Sequence, residues 1–72
     1  MFIEINHTQY NMYSIQSFKA VDRKLENGDG TYTDAYFIYY TTNLGYELEE
    51  RFENAEQRDE RYEGLKSRFG ID

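Results

Sequence analysis

Tyr32-Thr33-Asp34-Ala35-Tyr36-Phe37-Ile38-Tyr39-Tyr40-Thr41-Thr42 is the stretch on which the fold turns. Aromatic and β-branched residues fill it, and such side chains suit a pleated, half-buried surface better than a helix. Large side chains stand at odd and even positions alike, so the strand is expected in the middle of a sheet. Upstream, Glu26-Asn27-Gly28-Asp29-Gly30 is rich in residues that tolerate positive φ and predicts a hairpin turn. Downstream, Asn43-Leu44-Gly45 predicts a second hairpin turn, with Gly45 in the left-handed position.

Beyond that turn, Tyr46, Leu48 and Phe52 alternate with Glu47, Glu49, Arg51 and Glu53. The period of two predicts a strand with one buried and one charged face. Asn54 then fits a helix N-cap, with Gln57 three residues on. Ala55, Tyr62, Leu65 and Phe69 recur at helical spacing, so a helix is expected over about residues 55–69. Arg58 falls where that apolar stripe would continue, and its stem is expected along the core edge. Glu56, Asp59 and Glu60 lead and Lys66 and Arg68 trail, as the helix dipole favours. Gly70 suits the C′ position, with Ile71 folding back on Leu65.

Toward the N-terminus, Tyr, Ile, Phe and Val between Tyr10 and Lys24 favour a strand, with a bend near Asn11. Asn6-His7-Thr8-Gln9 is polar and predicts a turn, and Ile3 and Ile5 alternate with polar neighbours as a short strand does. The expected architecture is a single α+β domain over residues 1–72, ordered β-β-β-β-α. A small antiparallel sheet of three to four strands would carry one C-terminal helix on one face.

Composition narrows the function. The 72 residues hold 8 Lys and Arg against 14 Asp and Glu, a net charge of −6, and no Cys. Disulfides, thiol nucleophiles and Cys-ligated metals are excluded, and direct nucleic-acid binding is disfavoured because phosphates need cations. Thirteen residues are Phe or Tyr (5 and 8), too many for a disordered chain. The longest apolar run, Ala35 to Tyr40, is far below the ~20 residues of a membrane-spanning helix. The start of the chain lacks a basic region followed by an apolar run, so a cytoplasmic location is expected.

No motif for catalysis survives inspection. Aligned on Asn27 and Asp29, the first and last positions of a calcium loop would be Leu25 and Tyr36, which cannot ligate. Ala35, Tyr36 and Tyr39 match part of an RNA-recognition strand, but the leading basic and Gly positions are Tyr32 and Thr33. His7, the lone histidine, has no Cys or His partner, and no elbow surrounds Ser14 or Ser17. A non-enzymatic protein without a cofactor or metal is expected.

Two features point to protein binding. Glu47, Glu49, Glu50, Glu53, Glu56, Asp59, Glu60 and Glu63 face only Arg51, Arg58 and Arg61, which puts −5 within residues 47–63. Glu56 with Glu60, and Asp59 with Glu63, are like-charged i,i+4 pairs that cost helix stability. The segment reads either as a solvated face or as a surface built for a basic partner. In the second reading Glu47, Glu49 and Glu53, continued by Glu56 and Glu60, imitate a row of phosphates that Arg51 interrupts. The second feature is the tyrosine excess. With one sheet face under the helix, the other is expected to show a tyrosine cluster that includes Tyr36 and Tyr40, as ordinary half-exposed residues or as an interface.

The short strands from Tyr10-Asn11 to Ser17-Phe18, the hairpin through Asn43-Leu44-Gly45-Tyr46 and the helix opening Glu53-Asn54-Ala55-Glu56-Gln57-Arg58-Asp59-Glu60-Arg61-Tyr62 carry a resemblance. Together they resemble small acidic ββββα proteins of phages and mobile elements, of the anti-CRISPR and anti-defence kind. The resemblance spans most of the chain and rests on size, acidity and element order. It implies a stoichiometric inhibitor that binds a basic surface of a bacterial defence nuclease complex, and it transfers no individual residue. The alternative is a small self-associating structural or assembly protein, including a homodimer, joined through the tyrosine face or a free sheet edge.

Overall fold

A computed structural model describes residues 1–70. It contains β1 (Phe2–Ile5), β2 (Thr8–Asn11), a 3-10 turn (Met12–Ser14), β3 (Ile15–Glu26), β4 (Tyr32–Thr42), β5 (Glu47–Phe52) and α1 (Ala55–Phe69). The class is α+β, as expected, and β4 is the central strand of an antiparallel β3-β4-β5 sheet. One strand was not anticipated. The N-terminal turn is only two residues, Asn6 and His7, both at positive φ (52° and 67°). That conformation matches the twist of the flanking strands, so Thr8–Asn11 returns along Phe2–Ile5 as a separate hairpin.

The expected bend at Asn11 separates the two sheets. The Asn11 side chain accepts from the Tyr13 N–H at 2.9 Å, and the Ser14 hydroxyl donates to the Asn11 carbonyl at 2.6 Å. These local bonds end β2 and redirect the chain before β3 begins. The β1–β2 hairpin therefore lies over the large sheet instead of extending it. Ile3 and Ile5 share one core with Met12, Ile15, Ile38, Tyr40 and Leu65. The hairpin and α1 thus cover the same face of the sheet, the face of Ile38 and Tyr40. Ile3, Ile5, Ile38 and Leu65 are fully buried, and each contributes about 1.5–3 kcal/mol.

The helix spans the residues expected of it, and its caps hold. Asn54 accepts from the Gln57 N–H at 2.8 Å. Gly70 takes the left-handed conformation at φ 72°, and its N–H reaches the Lys66 and Ser67 carbonyls. The contact expected of Ile71 lies outside the described residues. Two helix arginines close the outer edge of β1: Arg61 donates to the Glu4 carbonyl at 2.7 Å and Arg68 to the Phe2 carbonyl at 2.6 Å. Alternate carbonyls on one edge would otherwise be left for another strand to pair with.

Strand β5 pairs only with Tyr36–Thr41, so the far half of the β3–β4 hairpin runs past it as a two-stranded ribbon. This overhang makes the molecule long, 44 × 25 × 20 Å. Its tip is held by polar bonds. Asn27 N–H donates to the Thr31 carbonyl at 3.0 Å, Asn27 Nδ2 to Thr31 Oγ1 at 3.0 Å, and Thr31 N–H to the Asp29 carboxylate at 3.0 Å. The Thr31 hydroxyl, and after it the Thr31 N–H, lower the Asp29 pKa.

Candidate functional site

Helix α1 separates its charges by direction. Glu56, Asp59, Glu60 and Glu63 are exposed, and spacings of three and four put them on one stripe about 10 Å long. The helix arginines Arg58, Arg61 and Arg68 reach into the body of the protein, while Lys66 stays on the helix beside Glu63. Arg58 is the one buried charged side chain among the described residues. Its Nη1 donates to the Val21 carbonyl at 2.9 Å and to Asp22 at 2.7 Å, and its Nε donates to Asp59 at 2.7 Å. Its guanidinium also lies 5.6 Å from the centre of the Tyr36 ring. The bond to Asp59 raises the Arg58 pKa most; burial opposes it and Asp22 adds to it. The stem of Arg58 was expected along the core edge, and the whole side chain is inside.

Arg61 lies beside Glu50 at 3.4 Å. Glu50 in turn accepts from the Tyr40 hydroxyl at 2.5 Å. Burial, reinforced by the Glu50 carboxylate, pushes the Tyr40 hydroxyl well above its ordinary pKa. Lys66 Nζ sits 5.6 Å from the Tyr62 ring centre and 3.4 Å from Glu63. Asp59 and Glu63 thus have ionic partners. Glu56 and Glu60 have none among the described residues.

The expected continuous row of acids is divided. Strand alternation turns Leu48, Glu50 and Phe52 toward the helix, so Glu47 and Glu49 lie on the open face of the sheet. Glu49 there stands 3.6 Å from Arg23. The stripe of α1 faces outward from the opposite layer, and Glu53 is exposed in the bend between β5 and α1. Four of the expected acids, Glu56, Asp59, Glu60 and Glu63, therefore form one surface, and Glu47 and Glu49 do not join it.

The tyrosine expectation is corrected more sharply. Tyr40 is fully buried and cannot meet a partner. Tyr36 is half-buried on the same covered side, beside Arg58. The physical reason is that the face shared by Tyr36, Ile38 and Tyr40 is the one roofed by α1 and the β1–β2 hairpin. The other face carries Phe37 and Tyr39, with ring centres 5.8 Å apart. It is no open tyrosine cluster either, because Arg23 and Arg51 cover Phe37 at 5.1 and 6.0 Å. Arg23 also donates to the Tyr39 hydroxyl at 2.9 Å. Ile38, the aliphatic residue of its strand face, was the available sign of which face is core. The exposed tyrosines are Tyr13, Tyr32 and Tyr46, at turns and strand ends.

Among the described residues, no group of three His, Asp or Glu side chains is placed to hold a metal. His7 is exposed in the β1–β2 turn. The groove between the start of β3 and α1, lined by Ile15, Phe18, Tyr62, Lys66 and Phe69, has a volume of about 220 Å³. No described helix is long and apolar enough to cross a membrane. No family model, curated protein or solved structure matches the chain.

Proposed function

We propose that this chain is a non-enzymatic acidic binding module whose helix α1 meets a basic surface on a protein partner. The observation that carries the reading is the segregation of charge across α1. Glu56, Asp59, Glu60 and Glu63 face outward while Arg58, Arg61 and Arg68 are spent on internal contacts. A helix serving only as a solvated cover has no need of like charges at i,i+4, which cost about 0.2–0.5 kcal/mol per pair. An acidic stripe of this kind is complementary to the positive groove of a nucleic-acid-binding protein, whose field draws anions inward. The partner class proposed is a bacterial defence nuclease complex such as a CRISPR effector, met in the cytoplasm of the host cell by an inhibitor from a phage or mobile element. That specific assignment rests on the resemblance in size, acidity and element order.

The test uses the tagged chain and a Glu56→Lys/Glu60→Lys variant as baits in bacterial lysate, at low and high salt. Both substituted side chains are exposed and without ionic partners, so the fold should survive. The native bait should retain a nucleic-acid-binding effector at low salt and release it at high salt. The variant should hold it about tenfold more weakly or not at all. Equal retention by both baits would exclude α1 as the binding surface.

A further inference from the structure

The turns at one end of the molecule hold no charged side chain. No Asp, Glu, Lys or Arg occurs from Ile5 to Phe18 or from Ala35 to Tyr46. The fold brings the turns of these two stretches together. The Asn43 N–H donates to the Ser14 carbonyl at 2.9 Å, and Asn43 Nδ2 donates to the Tyr13 carbonyl at 2.6 Å. The Met12 N–H donates to the Met1 carbonyl at 3.0 Å, which adds the first residues to the same end.

Turns normally carry Gly, Asn, Asp or Ser at their tips. These two carry Tyr13 and Leu44, 83% and 84% exposed. Met1, Phe2 and Tyr46 are exposed too: Met1 lines a groove with Tyr13, Phe2 pairs with Asn11, and the Tyr46 carbonyl accepts from the Thr42 N–H at 2.9 Å. Five of the six large apolar side chains that face solvent among the described residues thus gather at one end, and Tyr32 alone lies at the far end of the β3–β4 ribbon. Arg68 borders this end, lining one groove with Met1, Met12 and Tyr13, and donates to the Phe2 carbonyl at 2.6 Å.

We infer that this end, built from Met1, Phe2, Tyr13, Leu44 and Tyr46, is a self-complementary surface at which two copies of the chain meet end to end. Charge selects the occupant. Each copy carries −6, so side-by-side approach sets acidic surfaces against one another. The turns of this end carry no acidic side chain, so it is the place where molecules of net charge −6 can touch with the least repulsion. End-to-end contact along the 44 Å axis also places most of the charge of each copy far from the other. The size fits as well. With side chains of this kind burying about 150–250 Å² each when fully covered, the exposed parts of these five offer on the order of 600 Å² per copy. Stable dimers use about 800 Å² per partner, so a weak, two-fold symmetric dimer is expected. The acidic stripe of α1 remains free in it, so this inference does not depend on the proposed function.

Sedimentation equilibrium on the full chain tests it, from about 5 µM to about 500 µM, the range of a weak contact. The mass should climb from 8.7 kDa toward twice that value. Added salt should strengthen the dimer by screening the −6 charges, the reverse of its effect on binding to a basic partner. Tyr13→Asp and Leu44→Asp, separately, should each leave a monomer at every concentration, while Tyr32→Asp at the other end should dimerise like the native chain. Tyr13→Ser and Leu44→Ser serve as milder variants, and circular dichroism verifies that each folds. A native chain that stays monomeric at high concentration and high salt overturns the inference. So does a dimer that survives the Tyr13 and Leu44 substitutions, one broken by Tyr32→Asp, or growth beyond two copies.

Discussion

Tyr40 shows what a single side chain does in this core. Its ring is fully buried, and its hydroxyl lies 2.5 Å from Glu50, which also faces Arg61 at 3.4 Å. The three groups tie β4 to β5 and to α1 by polar contacts inside an apolar layer. Burial first, and the Glu50 carboxylate second, raise the Tyr40 pKa. The folded chain therefore holds this proton more tightly than the unfolded chain does. Below the unfolded value of about 10 the stabilisation is complete. As pH rises past that point the unfolded state loses the proton first, and stability falls. Urea midpoints at about pH 8, 9.5 and 11 should show this decline, and Tyr40→Phe should flatten it. At neutral pH the same substitution should cost about 1–3 kcal/mol, because Glu50 loses a partner in a poorly solvated place. An equally steep alkaline decline in the variant would mean that other groups cause it.

At the scale of the element, helix α1 and the β1–β2 hairpin depend on their ends. Asn54→Ala removes the acceptor for the Gln57 N–H and should lower stability by about 1 kcal/mol in urea unfolding. Asn6→Gly keeps the positive φ of the turn but loses the 2.7 Å bond from Asn6 Nδ2 to the Glu49 carbonyl, so it should cost about 0.5–1.5 kcal/mol. Asn6→Val should cost about 1–2 kcal/mol more, since a β-branched side chain resists the left-handed region. If Asn6→Val proved no worse than Asn6→Gly, the two-residue turn would be misassigned. The bounds of α1 and β4 were legible in the sequence because cap, period and turn residues agree there. Strand β2 was not, because Thr8-Gln9-Tyr10-Asn11 is polar and buries little; its pairing comes from Asn6 and His7 accepting positive φ. The outward acids of α1 were legible from helical spacing alone. The burial of Tyr40 was not, because composition counts tyrosines without saying which sheet face the helix and hairpin will cover.

Across the whole molecule, charge is arranged at the expense of stability. Glu56 sits in the first turn of α1, where the helix dipole favours an acid. Glu60 lies one turn further on, beside Glu56 and Glu63, with no ionic partner among the described residues. The dipole falls off within the first turn and does not account for it. Neutralising Glu60 relieves its i,i+4 repulsion with Glu56 and adds to the relief of a −6 surface. Glu60→Gln should therefore raise the urea midpoint, by an amount worth about 0.2–0.5 kcal/mol, and the gain should shrink as salt rises. The same variant should bind the proposed basic partner more weakly, mainly through slower association. The joint result separates two readings of the acidic face. If the stripe were only a solvated cover, Glu60→Gln would stabilise the chain and change nothing else. If it is a binding surface, stability and affinity must move in opposite directions, and a variant that gains both would remove α1 from the interface.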